Sequence, residues 1–131
     1  MAPLSTPGGD LEYAVLLALW DAGPATARAL HERVGEPDGL VYTTVAKVLD
    51  RLVAKGLVER TRIGKAFLFR ARQKRDRVEG ARAKEMLARL AGPGARVPVA
   101  ALVDAVEAAN PKLLDELAVA IAARRKGRHG S

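Results

Sequence analysis

The 131-residue chain contains no cysteine. This absence excludes disulfide bonds, thiolate zinc sites and thiol nucleophiles. Long apolar runs are also missing, since the longest one, at residues 14–20, is far too short to span a membrane. The first ten residues have neither the charged nor the apolar segment of a signal peptide. We therefore expect a folded cytoplasmic protein.

The patterns that support catalysis are equally scarce. The two histidines, His31 and His129, have no second ligand at metal spacing, and we expect both to face solvent. The chain has no glycine-rich phosphate loop, no nucleophile elbow and no H-E-x-x-H motif. These absences predict a protein that is not an enzyme and that uses neither a cofactor nor a metal.

Positive charge, in contrast, is abundant and concentrated in one segment. Between Lys55 and Arg77 nine basic residues outnumber two acidic ones, which gives a local balance of 9 − 2 = +7, equal to the net charge of the whole chain. A solvated basic face is the simplest explanation of such a run. The functional explanation is a polyanionic partner such as nucleic acid.

Apolar spacing predicts three helices in the first 55 residues. The first runs from about Asp10, its expected N-cap, to Ala22 and buries a stripe that includes Trp20 as a core residue. The second is capped by Thr26 and ends at Gly35, and the segment GEPDG at 35–39 is expected to be a loop. The third runs from about Tyr42 to Lys55 and buries Val45, Val48, Leu49 and Leu52.

A basic hairpin is predicted directly after the third helix. The segments LVERTRI and AFLFRA have strand character and are separated by Gly64-Lys65, a two-residue turn with glycine first. Three helices followed by a hairpin is the order of a winged helix-turn-helix, in which the third helix enters the major groove and the hairpin, or wing, lies along the phosphates. The arginines and the lysine near the turn would then be phosphate contacts.

This arrangement assigns candidate DNA-binding residues. The exposed face of the third helix is expected to centre on Thr43, Lys47, Asp50 and Ala54, with Ala46 and Arg51 beside them. Thr43, Thr44 and Lys47 are the candidates for base-edge contacts, although either threonine could serve only as a helix N-terminal residue. Candidates for phosphate positioning are Arg51, Arg62 and Lys65.

The same segments resemble the penicillinase repressor family (BlaI/MecI type), winged-helix repressors of β-lactamase and related genes in bacteria. The resemblance rests on LEYAVLLALWDAG, YTTVAKVLDRLVAKGLVER and GKAFLFRA, in that order and spacing. It covers residues 10–72 without a break and continues more loosely to about 123. It implies a homodimer that binds an inverted-repeat operator in double-stranded DNA, with TACA/TGTA-like half-sites.

The C-terminal third carries three more apolar stripes at helical spacing. Asn110 and Pro111 suit the N-cap and first turn of the last helix. Three short helices beyond a small domain have little core to join, so a second chain is the expected burial surface, and folding back onto the winged domain is the alternative. The candidate dimerisation residues are Met86, Leu87, Leu90, Leu102, Val103, Val106, Leu113, Leu114, Leu117 and Ile121.

The sequence thus predicts a mainly α protein with a small β-hairpin. A flexible N-terminus (1–9) precedes the winged-helix DNA-binding domain (10–72), which is followed by a helical dimerisation region (73–123) and a flexible basic tail (124–131). Two other functions share the fold: a regulator that responds to a small molecule, which needs an apolar ligand cavity, and a protein-interaction module without specific DNA binding. Neither is excluded by the sequence.

The resemblance also implies an upstream membrane sensor and a protease step that cuts an Asn-Phe bond in the dimerisation region. At the corresponding position this chain has Asp104-Ala105, so neither residue of that bond is retained. Asn110 is followed by Pro111, whose tertiary amide makes a poor substitute substrate. We therefore expect induction that does not use the Asn-Phe cut.

Overall fold

The computed structural model describes residues 5–129, with side chains for residues 5–128. Within them the chain forms two compact units, one reaching to Met86 and the other beginning at Leu87. Residues 1–4, 130 and 131, which belong to the segments expected to be flexible, lie outside the described residues, as does the side chain of His129. None of the helices formed by residues 5–129 is long and apolar enough to cross a membrane.

Helix α1 spans Asp10–Ala22, as predicted, and Gly23 ends it with a φ of 87°. The expected N-cap was wrong, because Gly9 takes that position and Asp10 is already helical. No side chain caps this end, and the first helical hydrogen bond runs from the Tyr13 amide to the Gly9 carbonyl. The Asp10 carboxylate therefore acts through its place in the first turn, where negative charge is favourable to the helix dipole.

The second helical segment is longer and less regular than predicted. Strand β1 (Ala25–Thr26) leads into α2 (Ala27–Leu30), a π-helical turn (His31–Gly35) and a 3₁₀ turn (Glu36–Asp38). The Thr26 cap is confirmed, since its hydroxyl oxygen accepts from the Ala29 amide at 3.2 Å. The stop at Gly35 and the loop at 35–39 were wrong, because the backbone stays helical to Asp38 and Gly39, at φ 71°, ends it.

Gly35 serves close packing between helices rather than termination. A Cβ atom built on this residue would lie 2.8 Å from Cγ2 of Val45 in the next helix. Only glycine allows so short an approach without displacing that helix. The sequence signal was therefore correct in marking a special glycine but assigned it the wrong role.

Helix α3 spans Tyr42–Ala54, with Lys55 as its C-cap. The predicted stripe is confirmed, since the side chains of Val45, Val48, Leu49 and Leu52 are all buried. They pack against Val15, Leu16 and Leu19 of α1, Leu30 of α2, and Leu57 and Val58 beyond the helix. The burial of this stripe fixes the rotation of α3 about its own axis.

Strands β2 (Val58–Ile63) and β3 (Ala66–Ala71) form the predicted hairpin, with Gly64 at φ 61° in the first turn position. The strands pair antiparallel, with Val58 opposite Ala71 and Arg62 opposite Phe67. Strand β1 joins the other edge of β3, so the sheet order is β1-β3-β2. The sequence did not predict β1, because two residues are too few to show strand alternation.

Helix α4 (Arg75–Leu90) begins on the first unit, beyond Arg72, where the winged domain was predicted to end. Val78 is fully buried in the core. The Trp20 indole N–H donates to the Gln73 carbonyl at 3.0 Å, and Arg82 stacks 3.7 Å from the centre of the Tyr13 ring. The first turns of α4 are therefore part of the winged unit.

The second unit contains the end of α4, a 3₁₀ turn (Pro93–Ala95), α5 (Val99–Ala109) and α6 (Lys112–His129). The predicted cap of α6 is confirmed, since the Asn110 side-chain oxygen accepts from the Lys112 amide at 3.0 Å. Residues 124–129, expected as tail, continue α6. Alanine, arginine and lysine are good helix formers, which explains why the helix does not stop at 123.

Candidate nucleic-acid interface

Helix α3 presents the predicted polar face to solvent. Because its apolar stripe is buried, the side chains of Thr43, Lys47 and Arg51 are exposed on the other side, and Thr44 is half-buried. The Thr44 amide donates to the Val41 carbonyl at 3.1 Å in the first turn. Threonine hydroxyls and a lysine ammonium are groups that can contact base edges in a major groove.

Exposed apolar surface lies at the N-terminal end of the same helix. Val41 is 63% exposed and Tyr42 is 47% exposed. From the sequence, Tyr42 was assigned only as a helix start. Both residues lie at the N-terminal end of α3, and exposed apolar groups there are suited to contact with thymine methyl groups.

The wing, residues 58–71, places two of its arginines near one aromatic ring. The guanidinium groups of Arg60 and Arg62 lie 4.8 and 5.9 Å from the centre of the Phe67 ring. Arg62 also donates from Nε to the Gly64 carbonyl at 3.2 Å, and Lys65 is exposed in the turn. The predicted phosphate residues Arg62 and Lys65 thus lie together at the tip, whereas Arg51 lies on α3.

A groove of about 340 Å³ separates α3 from the wing. We call it the helix–wing groove; its polar lining includes Arg28, Asp50, Arg60 and Lys65, and its apolar lining includes Phe67 and Phe69. The sequence prediction missed Arg28 and Arg60 as candidates for the site. Arg60 carried a signal, since it shares a strand face with Arg62, but Arg28 reaches the groove only through the packing of α2.

One ion pair crosses this groove. Nη1 of Arg60 lies 3.6 Å from Oδ1 of Asp50, and water reaches both side chains. Asp50 lies on the exposed face of α3 and Arg60 lies in β2, so the pair joins the helix to the wing. The sequence placed Asp50 on this face but indicated no partner for it.

A second ion pair fixes the far end of α3. The Lys55 ammonium lies 2.8 Å from Oε1 of Glu12, which is buried in α1, and it also donates to the Thr6 carbonyl at 3.3 Å. Lys55 belongs to the motif that carries the family resemblance. Its contacts give that motif a structural role, since the pair joins α1 to the C-cap of α3.

His31 stabilises the turn before α3 and does not face solvent as expected. Its Nε2 lies 2.8 Å from the Leu40 carbonyl, and its ring makes an edge contact with Tyr42. Its side chain is 17% exposed. Within residues 5–128 no group of three metal-ligating side chains comes together.

The start of α4 is attached to α1 by charged hydrogen bonds. The Glu79 carboxylate accepts a hydrogen bond from Nε of Arg75 at 2.8 Å and another from the Tyr13 hydroxyl at 3.0 Å. The hydrogen bond from Arg75, followed by that from Tyr13, lowers the pKa of Glu79 below its ordinary value. Arg75 also pairs with Asp21, which adds a second link to α1.

Comparison with known proteins identifies this arrangement. The family model described as penicillinase repressor matches residues 8–123. The chain is also 37% identical over 124 residues to the transcriptional regulator BlaI of Mycobacterium tuberculosis strains CDC 1551 and H37Rv, covering 94% of this chain and 88% of the relative. The chain belongs to the penicillinase repressor family. As a penicillinase repressor, it is a DNA-binding transcriptional repressor and not an enzyme.

Among solved structures, the PcaV transcriptional regulator from Streptomyces coelicolor is 25% identical, with a TM-score of 0.49 over 97% of this chain and 79% of that one. The transcriptional regulator Tm0710 from Thermotoga maritima is 16% identical, with a TM-score of 0.48 over 92% and 79%. At these TM-scores the likeness carries no functional inference. The winged helix-turn-helix of this penicillinase repressor follows from its own elements, three helical segments and a three-stranded sheet that ends in the wing.

Proposed function

We propose that this repressor binds an inverted-repeat operator as a homodimer, with α3 contacting base edges and the wing contacting phosphates. The observation that carries the proposal is the burial of the α3 stripe next to a basic wing. That burial leaves Thr43 and Lys47 on the exposed face, and the wing adds cations at its side. Base-edge contacts give sequence selectivity, and phosphate contacts give affinity and register.

The roles of the six candidates follow from their positions. Thr43, Thr44 and Lys47 lie in the first half of α3, and we assign them base-edge contacts. Arg62 and Lys65 at the wing tip are assigned phosphate contacts, because exposed cations at a turn can follow the DNA backbone. Arg51 lies one turn beyond Lys47, and we assign it a phosphate at the edge of the groove that α3 enters.

The second unit supports dimerisation because it lacks a core of its own. Within residues 87–128 no side chain is buried. Leu87, Leu90 and Ile121 are each more than 40% exposed, and the remaining stripe residues of α5 and α6 keep part of their surface exposed. Helices with uncovered apolar stripes are stable when another surface covers them, and a second copy supplies matching stripes by symmetry.

Dimerisation has a direct consequence for binding. Each protomer offers one winged unit, so a dimer engages two half-sites related by its two-fold axis. Once the first half-site is bound, the second contact becomes intramolecular and gains a large effective concentration. The dimer interface is therefore the natural control point for release of the operator, whatever the signal.

The expected targets of the repressor are β-lactamase or related genes. We expect it to act in the cytoplasm, with an upstream membrane sensor or protease system as a partner. We propose that induction does not cut at the family's Asn-Phe position, because Asp104 and Ala105 replace that pair within α5. Mass spectrometry of the chain recovered from β-lactam-treated cells tests this. An intact chain released from DNA is expected, and a fragment ending at Asp104 would refute it.

Selection of bound duplexes from random DNA tests the proposed function most broadly. The full chain is incubated with a random library, bound DNA is amplified, and the enriched sequences are aligned. We expect two half-sites in inverted orientation, one for each protomer. Enrichment of a single half-site would contradict binding as a homodimer. No enrichment at all would favour a protein-interaction module without specific DNA binding.

A further inference from the structure

Asp50 is an acidic residue in a groove whose other charged lining residues are basic. It lines the helix–wing groove together with Arg28, Arg60 and Lys65, on the face of α3 that we propose to meet DNA. A carboxylate there repels phosphates, and its side chain is 69% exposed. Burial or core packing does not explain its presence.

The carboxylate is paired with one cation of the wing. Arg60 lies 3.6 Å from Asp50 and stacks 4.8 Å from the centre of the Phe67 ring. Its Cα partner across the hairpin is Phe69, which is buried and fixes this part of the wing. The guanidinium is thus held in the groove by an aromatic ring and one carboxylate.

This pair contributes little to the stability of the fold. The side chains of Arg60 and Asp50 are 45% and 69% exposed, and ion pairs between exposed groups are weak because water screens them. A nitrogen–oxygen distance of 3.6 Å is also longer than that of a close charged hydrogen bond. The contact is therefore readily exchanged for a better one.

We propose that Asp50 occupies, in the free protein, the position on Arg60 that a DNA phosphate takes in the complex. Carboxylate and phosphate oxygens bind a guanidinium with the same fork geometry, so one can replace the other. Binding then requires Arg60 to give up Asp50 for the phosphate. The exchange lowers affinity for every DNA sequence and leaves the preference between sequences unchanged, because a phosphate carries no sequence information.

The inference rests on the proposed function, since it assumes that this face of α3 meets DNA. It assigns Arg60 a phosphate contact that the sequence prediction missed. It also assigns Asp50 the role of limiting affinity for DNA of every sequence.

Asp50→Asn tests the exchange, because it removes the charge and keeps the shape. We expect roughly twofold to fivefold tighter binding per protomer, the size of an exposed ion pair, on operator and random duplex alike. The slope of log affinity against log salt should steepen, by at most about one unit per protomer, since Arg60 then contributes its full phosphate contact. Fluorescence anisotropy at several salt concentrations measures both quantities.

Glu59→Gln is the matched control. It also removes a single negative charge, but Glu59 belongs to the wing, lies on the other face of the sheet from Arg60 and pairs with Arg70. A gain that reflects net charge alone would be equal in the two variants. We expect the gain of Asp50→Asn to be clearly larger.

A double variant separates exchange from repulsion. In an Arg60→Ala background, Asp50 has no guanidinium to occupy, so adding Asp50→Asn should give little gain. If Asp50→Asn increases affinity in the Arg60→Ala background as much as it does in the wild type, the proposal is overturned in favour of simple repulsion. If Asp50→Asn alone binds DNA more weakly than the wild type, the pair positions Arg60 for binding, and the proposal is also wrong. If the wild type binds DNA and Asp50→Asn is unchanged, only this inference is wrong; if the wild type shows no salt-dependent binding, the proposed function is wrong as well.

Discussion

Replacing Lys55 with methionine should destabilise the winged unit, because it leaves a buried carboxylate without its cation. The side chain of Glu12 is only 8% exposed, and Lys55 lies 2.8 Å from it. Methionine keeps most of the aliphatic stem of lysine and removes the ammonium. The change therefore removes the contacts of the ammonium group and keeps most of the packing of the side chain.

The magnitude follows from the burial of the two partners. Removing one partner from a fully buried ion pair costs about 3–5 kcal/mol. Lys55 keeps 31% of its side-chain exposure, so water screens part of the interaction. We expect the free energy of unfolding to fall by about 1–3 kcal/mol at neutral pH. The hydrogen bond from Lys55 to the Thr6 carbonyl is removed as well.

Urea unfolding followed by circular dichroism measures this loss of stability. The control is the double variant Glu12→Gln with Lys55→Met, in which the buried group is neutral. A neutral amide costs less to bury than an unpaired carboxylate, so the double variant should be more stable than Lys55→Met alone. A fall of less than about 0.5 kcal/mol for Lys55→Met would refute the assignment of this pair as a link between α1 and α3.

Three further outcomes are expected. Arg62→Ala or Lys65→Ala should weaken binding to all sequences similarly and flatten the log–log salt slope by roughly one unit for each phosphate interaction that is removed; an unchanged slope would contradict the wing assignment. Leu90→Asp should yield monomers in sedimentation at micromolar concentration, whereas Ala88→Asp, on the other side of α4, should remain dimeric. Glu79→Gln should lower the free energy of unfolding at neutral pH, because the folded protein stabilises the charged form of Glu79 and so lowers its pKa. The difference in stability from the wild type should shrink as the pH falls below about 4.3, the ordinary pKa of glutamate, and should vanish below the pKa of Glu79 in the folded protein. A difference that persists in acid would contradict this assignment.

Local patterns predicted most of the winged unit. The stripe of α3 has the helical period over several turns, and its four residues are buried as expected. Strand alternation on both sides of Gly64-Lys65 predicted the hairpin, and the hydroxyl of Thr26 predicted the helix cap. These features depend on residues close together in sequence, which is why a single sequence is enough to predict them.

Contacts between distant residues were not predictable in the same way. Glu12 and Lys55 are apart in sequence, as are Asp50 and Arg60, and no local spacing pairs them. The burial of Val78 also depends on how α4 meets the winged core. The six DNA-binding candidates stay predictions, since their roles require a bound duplex.

The most direct test of the account compares Lys47→Ala with Lys65→Ala on the selected operator and on a random duplex. Lys47→Ala should lower the operator-to-random affinity ratio by about 5-fold or more, the equivalent of at least roughly 1 kcal/mol for the removal of a base-edge hydrogen bond. Lys65→Ala should weaken both duplexes and leave that ratio unchanged. A ratio unaffected by Lys47→Ala would contradict the claim that α3 supplies selectivity and the wing supplies affinity.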